Sequence, residues 1–119
     1  NLPAVQCNYT QIQKVLVNLF RNAIEAMHAT ELPTLTITAM VLAVTDANWV
    51  TVTIQDNGSG LDSAMVRRIF EPFFTTKPTG IGMGLSISRA LIETNGGKLW
   101  VDSDAELGAK FHFTLPIAP

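Results

Sequence analysis

The run Val50-Thr51-Val52-Thr53-Ile54-Gln55, closed by Asp56-Asn57-Gly58-Ser59-Gly60, constrains this chain more than any other stretch. Its alternation has the period of a half-buried strand, with Val50, Val52 and Ile54 on one face. Asp56 falls in phase with them, so a carboxylate is carried to the apolar side just where the strand stops. An unpaired charge buried there is strongly unfavourable, and Asp56 therefore needs a partner. The glycines that follow let the backbone turn sharply and leave room for something to sit close. Two readings stay open at this point. One is a buried acid beside a glycine-floored pocket; the other is a turn whose aspartate caps the next helix, since Asp, Asn and Gly are ordinary turn residues.

At 119 residues the chain is read as a single domain, residues 1–119, large enough to bury a core. A net charge of -2 with 15% charged residues leaves no basic stripe for nucleic acid and no polybasic patch for a membrane. No apolar run approaches the ~20 residues that span a bilayer. There is no signal-peptide pattern and no initiator Met, so the chain reads as a piece of something longer. Cys7 is the sole cysteine, which excludes an internal disulfide and fits a reducing, cytoplasmic setting. The ends, Asn1 to Val5 and Ile117 to Pro119, read as tails.

From Asn8 to His28 apolar residues recur at helical spacing: Ile12, Val15, Leu16, Leu19, Ala23, Ala26 and Met27. Asn8 or Thr10 is the expected N-cap. Asn18 and Asn22, four apart, share a face at the border of that stripe. Asparagine is a mediocre helix former, so the pair is either polar edging or a ligand-facing set. Pro33 ends the helical region. Thr34 to Val44 and Trp49 to Gln55 read as a hairpin around Thr45-Asp46-Ala47-Asn48.

Asp62 is the expected N-cap of a short helix from Ser63 to Ile69, broken by Phe70-Glu71-Pro72-Phe73-Phe74, whose phenylalanines read as core. Next comes Thr75-Thr76-Lys77-Pro78-Thr79-Gly80-Ile81-Gly82-Met83-Gly84-Leu85, with glycines at alternate positions, feeding a helix from Leu85 to Glu93. A glycine-rich loop at a helix N-terminus suits an anion, because free N–H groups and the helix dipole both face it. Few apolar anchors in this segment predict that it is mobile when nothing is bound. It is not the dinucleotide fingerprint, which needs a strand directly before it, and the phosphate loop ending in Gly-Lys-Ser/Thr is absent. Asn95-Gly96-Gly97 stops the helix. Lys98 to Ser103 and Lys110 to Leu115 read as closing strands, with Phe111, Phe113 and Leu115 inward and Lys110, His112 and Thr114 outward.

In this order the pieces resemble the catalytic, ATP-binding domain of two-component sensor histidine kinases. Asn18 to Ala26 is similar to their N box and Asp56 to Gly60 to their G1 box. Phe70 to Phe74 matches the F box, Gly80 to Leu85 the G2 box, and Gly108 to Pro116 the closing strand. The wording RNAIEAM and FFTTK is nearest to kinases of the nitrogen- and oxygen-sensing type. The resemblance covers nearly the whole chain. It implies an α+β, two-layer α/β sandwich of the Bergerat type: a mixed, mostly antiparallel sheet with three helices on one face.

The resemblance also implies roles. Asp56 would accept a hydrogen bond from the adenine amino group; guanine presents a carbonyl there, which disfavours GTP. Asn22 would give its oxygen to Mg2+, a hard ion that takes oxygen ligands. Asn18 would lie near the phosphates, and Gly58 and Gly60 would let the backbone approach base and sugar. Ala26 would help line the nucleotide site. Thr75, Thr76, Lys77, Gly80, Ile81, Gly82, Met83, Gly84 and Leu85 would form the lid around the β- and γ-phosphates, with Lys77 as a catalytic cation beside Asn18 and Asn22.

In the gyrase, Hsp90 and mismatch-repair branch, the residue one turn before the magnesium asparagine is a water-activating glutamate. Here it is Asn18, and a carboxamide is no general base, which favours phosphoryl transfer over hydrolysis. Neither His28 nor His112 resembles a phosphoacceptor, and both read as surface histidines. The acceptor is therefore expected on an upstream dimerisation domain, with a response regulator as the further partner, a monomeric isolated domain and a homodimeric parent. Ala109 stands where many relatives carry a threonine, and Glu25 where some carry a cation. Two alternatives remain: a nucleotide-sensing module without transfer, and an anti-sigma-type serine kinase on the same fold.

Overall fold

Asn8 opens the first helix, α1 (Tyr9–Ala26), by accepting a hydrogen bond from the Gln11 N–H at 3.0 Å through its side chain. The computed structural model describes residues 2–44, 47–72, 84–104 and 108–118. Ile12, Val15, Leu19 and Ala23 form the buried stripe of α1, the spacing that the sequence shows. Thr10, the other candidate cap, lies inside the helix.

The hairpin pairs β1 (Thr36–Val44) with β2 (Ala47–Gln55) in an unbroken register from Thr36↔Gln55 to Val44↔Ala47. Asp62 caps α2 (Ser63–Arg68), its carboxylate accepting from the Met65 N–H at 2.8 Å. The third helix, α3 (Gly84–Thr94), leads into β3 (Leu99–Asp104) and β4 (Gly108–Pro116). The sheet order is β1-β2-β4-β3, and each of the three ladders is antiparallel. The fold is thus α+β: among the described residues, one open four-stranded sheet with helices on one face.

The alternation decides which face that is. Ile54, Phe111, Phe113, Leu115, Leu99 and Val101 point to the helices and form one cluster with Ile12, Val15, Leu19 and Ile92. α1 packs on β2 and against α3, α3 covers β3 and β4, and α2 touches β3. The two longer helices run antiparallel. Asn95 at the end of α3 ties to the start of α1, accepting from the Asn8 N–H at 2.7 Å and donating to Gln11 Oε1 at 2.9 Å. β1 packs chiefly on its neighbour β2, and its helix-side residue Ile37 is left 54% exposed. Phe70 packs edge-on to Phe111 at 6.4 Å beneath the Arg89 guanidinium, partly buried against the core; Phe73 and Phe74, read as core with it, lie outside the described residues.

The reading of the two ends as tails is corrected. Val5 and Ile117 form an antiparallel bridge, Gln6 N–H donates to Pro116 O at 2.9 Å, and Ala118 N–H donates to Ala4 O at 2.9 Å. The end of β4 offers free backbone groups, and the segment before α1 satisfies them. Among the described residues no helix is long and apolar enough to cross a membrane.

Candidate functional site

Asp56 is only 2% exposed, at the point where β2 leaves the sheet. Its Oδ1 accepts from the Gly58 N–H at 2.9 Å and the Ala109 N–H at 3.3 Å, and its own N–H donates to Ala109 O at 3.0 Å. Two backbone donors thus balance the buried charge, which answers the need for a partner. The carboxylate does not cap α2; Asp62 does that. Both donors converge on one oxygen, and among the described residues none reaches Oδ2. A planar carboxylate fixed by one oxygen holds the other at a set angle, as an acceptor for an N–H from a ligand.

The loop that carries Asp56 is fixed on three sides. Gly58 lies against the end of α1, where a Cβ would collide with the Ala26 carbonyl, and the Ser59 N–H points to that same carbonyl at 3.4 Å. Asn57 ties the loop to the segment before β1, accepting from the Thr34 N–H and donating to Leu32 O, both at 2.9 Å. Ser103 on β3 accepts from the Leu61 N–H at 2.6 Å. Gly60 takes φ 71, which favours glycine. Gly108 takes φ 91 and packs so closely that a side chain there would meet the Asp56 backbone and carboxylate.

Ala109 stands next to this carboxylate. Its methyl joins the core while its N–H serves Asp56, so the contact made here is a backbone one. The sequence gives Ser103 no place in the site, and Asn57 none beyond its membership of the Asp56–Gly60 motif. Their partners lie 42 and 23 positions away along the chain, and no local pattern signals such pairs.

On α1, Asn18 and Asn22 are both half-buried. Asn22 Nδ2 donates to the Asn18 carbonyl at 3.0 Å. An acceptor-only partner fixes which end of the amide is nitrogen, so the orientation of the carboxamide follows from chemistry. Asn18 Nδ2 lies 3.2 Å from Ser88 Oγ and a long 3.5 Å from Gly84 O, both on α3. Asn18 and Asn22 thus sit between the Asp56 loop, docked on Ala26, and the first turn of α3. Gly84 and Leu85 begin that helix, Gly84 within 3.9 Å of the Asn18 carboxamide for an added Cβ. Thr75, Thr76, Lys77, Gly80, Ile81, Gly82 and Met83 lie outside the described residues, as does the expected mobility of the lid.

The histidines lie elsewhere. His28 is exposed just past α1, with Nδ1 3.1 Å from Glu25 O. His112 points away from the helices as expected, but it is not a bare surface residue. Its side chain is 15% exposed, stacked on Trp100 at 5.2 Å between Thr53 Oγ1 at 2.8 Å and Asp102 Oδ2 at 3.0 Å. Cross-strand neighbours cover it, because Thr53, His112 and Trp100 share one row of the sheet.

Residues 7–119 match the family described as histidine kinase-, DNA gyrase B-, and HSP90-like ATPase. The chain belongs to this family. It is 47% identical over 114 residues to the sensor protein FixL of Bradyrhizobium diazoefficiens, an alignment that covers 96% of this chain and 22% of that protein. The chain therefore spans about a fifth of the length of that relative. The catalytic domain of the histidine kinase ThkA superposes with a TM-score of 0.79 at 38% identity, covering 95% of this chain and 70% of that one. Full-length ShkA, solved in complex with AMPPNP, superposes with a TM-score of 0.81 at 29% identity, covering 98% and 24%.

Proposed function

We propose that this domain binds Mg-ATP and supplies the γ-phosphoryl group to a histidine on an upstream dimerisation domain, as the catalytic part of a two-component sensor kinase. The observation that carries the reading is the Asp56 carboxylate, buried, pinned through one oxygen by two backbone N–H groups and offering the other. That arrangement suits the amino group of adenine and repels the carbonyl of guanine. The family match and the likeness to the ThkA catalytic domain support it.

The asparagine pair fits the metal. Asn22 is oriented by its bond to the Asn18 carbonyl, with Oδ1 at the other end of the amide. One carboxamide oxygen plus phosphate oxygens and waters is a donor set that suits Mg2+. Asn22 would hold Mg2+ there, and the chemistry the ion would supply when bound is neutralisation of phosphate charge. Asn18 cannot take a proton from water, so the residues at hand position an acceptor reaction and do not activate hydrolysis. Gly84 and Leu85 place the N-terminus of α3 beside Asn18, where N–H groups favour an anion. Lys77 adds a cation to the same phosphates. A response regulator then receives the phosphoryl group, and this domain acts in the cytoplasm as part of a homodimeric parent, soluble or membrane-anchored.

The test joins the domain to its natural upstream segment and supplies labelled ATP. Acid-labile, alkali-stable label on a histidine is the expected result. Alkali-labile label on a partner serine points to the anti-sigma-type kinase, and binding without label to a nucleotide-sensing module; either overturns the proposal.

A further inference from the structure

Ser88 has no solvent exposure, although it lies in the interior of α3 among positions that the helical period assigns to the core. Serine is a weak helix former, and a buried hydroxyl is unfavourable without a partner. The partner is Asn18 Nδ2 at 3.2 Å, across from α3 on α1. The same nitrogen faces Gly84 O, the first carbonyl of α3. Among the described residues, both groups that Asn18 reaches with its nitrogen therefore lie on α3. Because the amide is planar, its oxygen is held at the end turned away from α3.

We propose that Ser88 is a positioning residue: its hydroxyl holds the Asn18 carboxamide against α3, where the Gly84 carbonyl, an acceptor only, keeps the nitrogen inward and leaves the oxygen offered to the nucleotide site. The inference rests on the nucleotide reading above and deepens it. An amide nitrogen beside a triphosphate binds phosphate oxygens whether or not a metal is present. An amide oxygen repels them and suits only the cation or its bound waters. Ser88 and the Gly84 carbonyl together thus make Asn18 a reader of the metal-loaded nucleotide. Without the hydroxyl, Asn18 loses its nearer partner, and only the long 3.5 Å contact to Gly84 O is left to keep its nitrogen inward.

The experiment measures the affinity of this chain for Mg-AMPPNP and for ADP in EDTA by calorimetry, in wild type, Ser88→Ala, Asn18→Ala and the double variant. Ser88→Ala is expected to weaken Mg-AMPPNP about tenfold, the lower end for losing an outer partner of a metal-site group, and metal-free ADP by less than about twofold. In the Asn18→Ala background the same change is expected to add less than about twofold, because its target is gone. Equal losses for the two nucleotides, or a full penalty that persists without Asn18, overturn the proposal. Should Ser88→Ala fail to melt cooperatively, Ser88→Cys keeps a weak acceptor of similar size and is expected to show the same split at smaller amplitude. Asp56→Asn run alongside separates the two levels. If it binds Mg-AMPPNP as wild type does, the nucleotide reading falls and this proposal with it. If it loses binding while Ser88→Ala keeps both affinities, only the positioning role falls.

Discussion

Replacing Asp56 by asparagine tests the centre of the site while sparing the fold. In Asp56→Asn the amide oxygen can still accept from Gly58 and Ala109, so both backbone donors keep a partner. The amide nitrogen then stands where Oδ2 stood, and a donor faces the adenine amino group. Losing a hydrogen bond to a charged acceptor costs about 1.5–3 kcal/mol, and leaving two donors opposed adds about 1–3 kcal/mol. A combined loss near 3.4 kcal/mol raises the dissociation constant about 300-fold. In a thermal-unfolding assay at a hundredfold excess of Mg-ATP over the wild-type constant, ligand stabilises wild type by about 2.7 kcal/mol. The variant at the same concentration gains only about 0.2 kcal/mol from the same relation. In the absence of nucleotide its own stability falls by about 1 kcal/mol, the difference between charged and neutral acceptors. An unchanged ligand-induced shift in Asp56→Asn would refute the argument, because nothing else in it distinguishes the two side chains. Asp56→Ala is the contrast: it orphans two buried N–H groups and destabilises the free protein by about 2–4 kcal/mol.

Asn22→Ala should weaken Mg-AMPPNP by about tenfold or more while metal-free ADP changes by less than about twofold; calorimetry reads both, and equal losses count against a metal ligand. Gly58→Ala should cost about 1–3 kcal/mol in urea unfolding, since its Cβ meets the Ala26 carbonyl, whereas Ser59→Ala next to it stays within about 0.5 kcal/mol. Asn95→Ala removes the side-chain tie between α1 and α3 and should lower stability by about 1–2 kcal/mol, or roughly 4–8 °C in melting temperature.

Much of the fold was legible locally. Asn8 and Asp62 act as caps, the α1 stripe is buried, and Val50, Ile54, Phe111, Phe113 and Leu115 face the helices, because periodicity and capping are properties of adjacent residues. The in-phase carboxylate was legible for the same reason. Less legible were the Val5↔Ile117 bridge and the shelter around His112, since each depends on strands distant in sequence.

Periodicity along the chain is enough to bring an acid to the apolar side at the end of a strand, followed by glycines, and to put two asparagines on one helical face. Tertiary structure alone decided what those groups do. Gly58 and Ala109 fix one oxygen of Asp56, and Ser88 and Gly84 turn the amide of Asn18. The physical reason is directional: hydrophobic period sets which side a residue faces, but a hydrogen bond needs its partner within about 3 Å at a set angle. Of these partners only Gly58 lies near in the chain; Ala109 comes within reach when β4 pairs with β2, and Ser88 and Gly84 when α3 packs on α1.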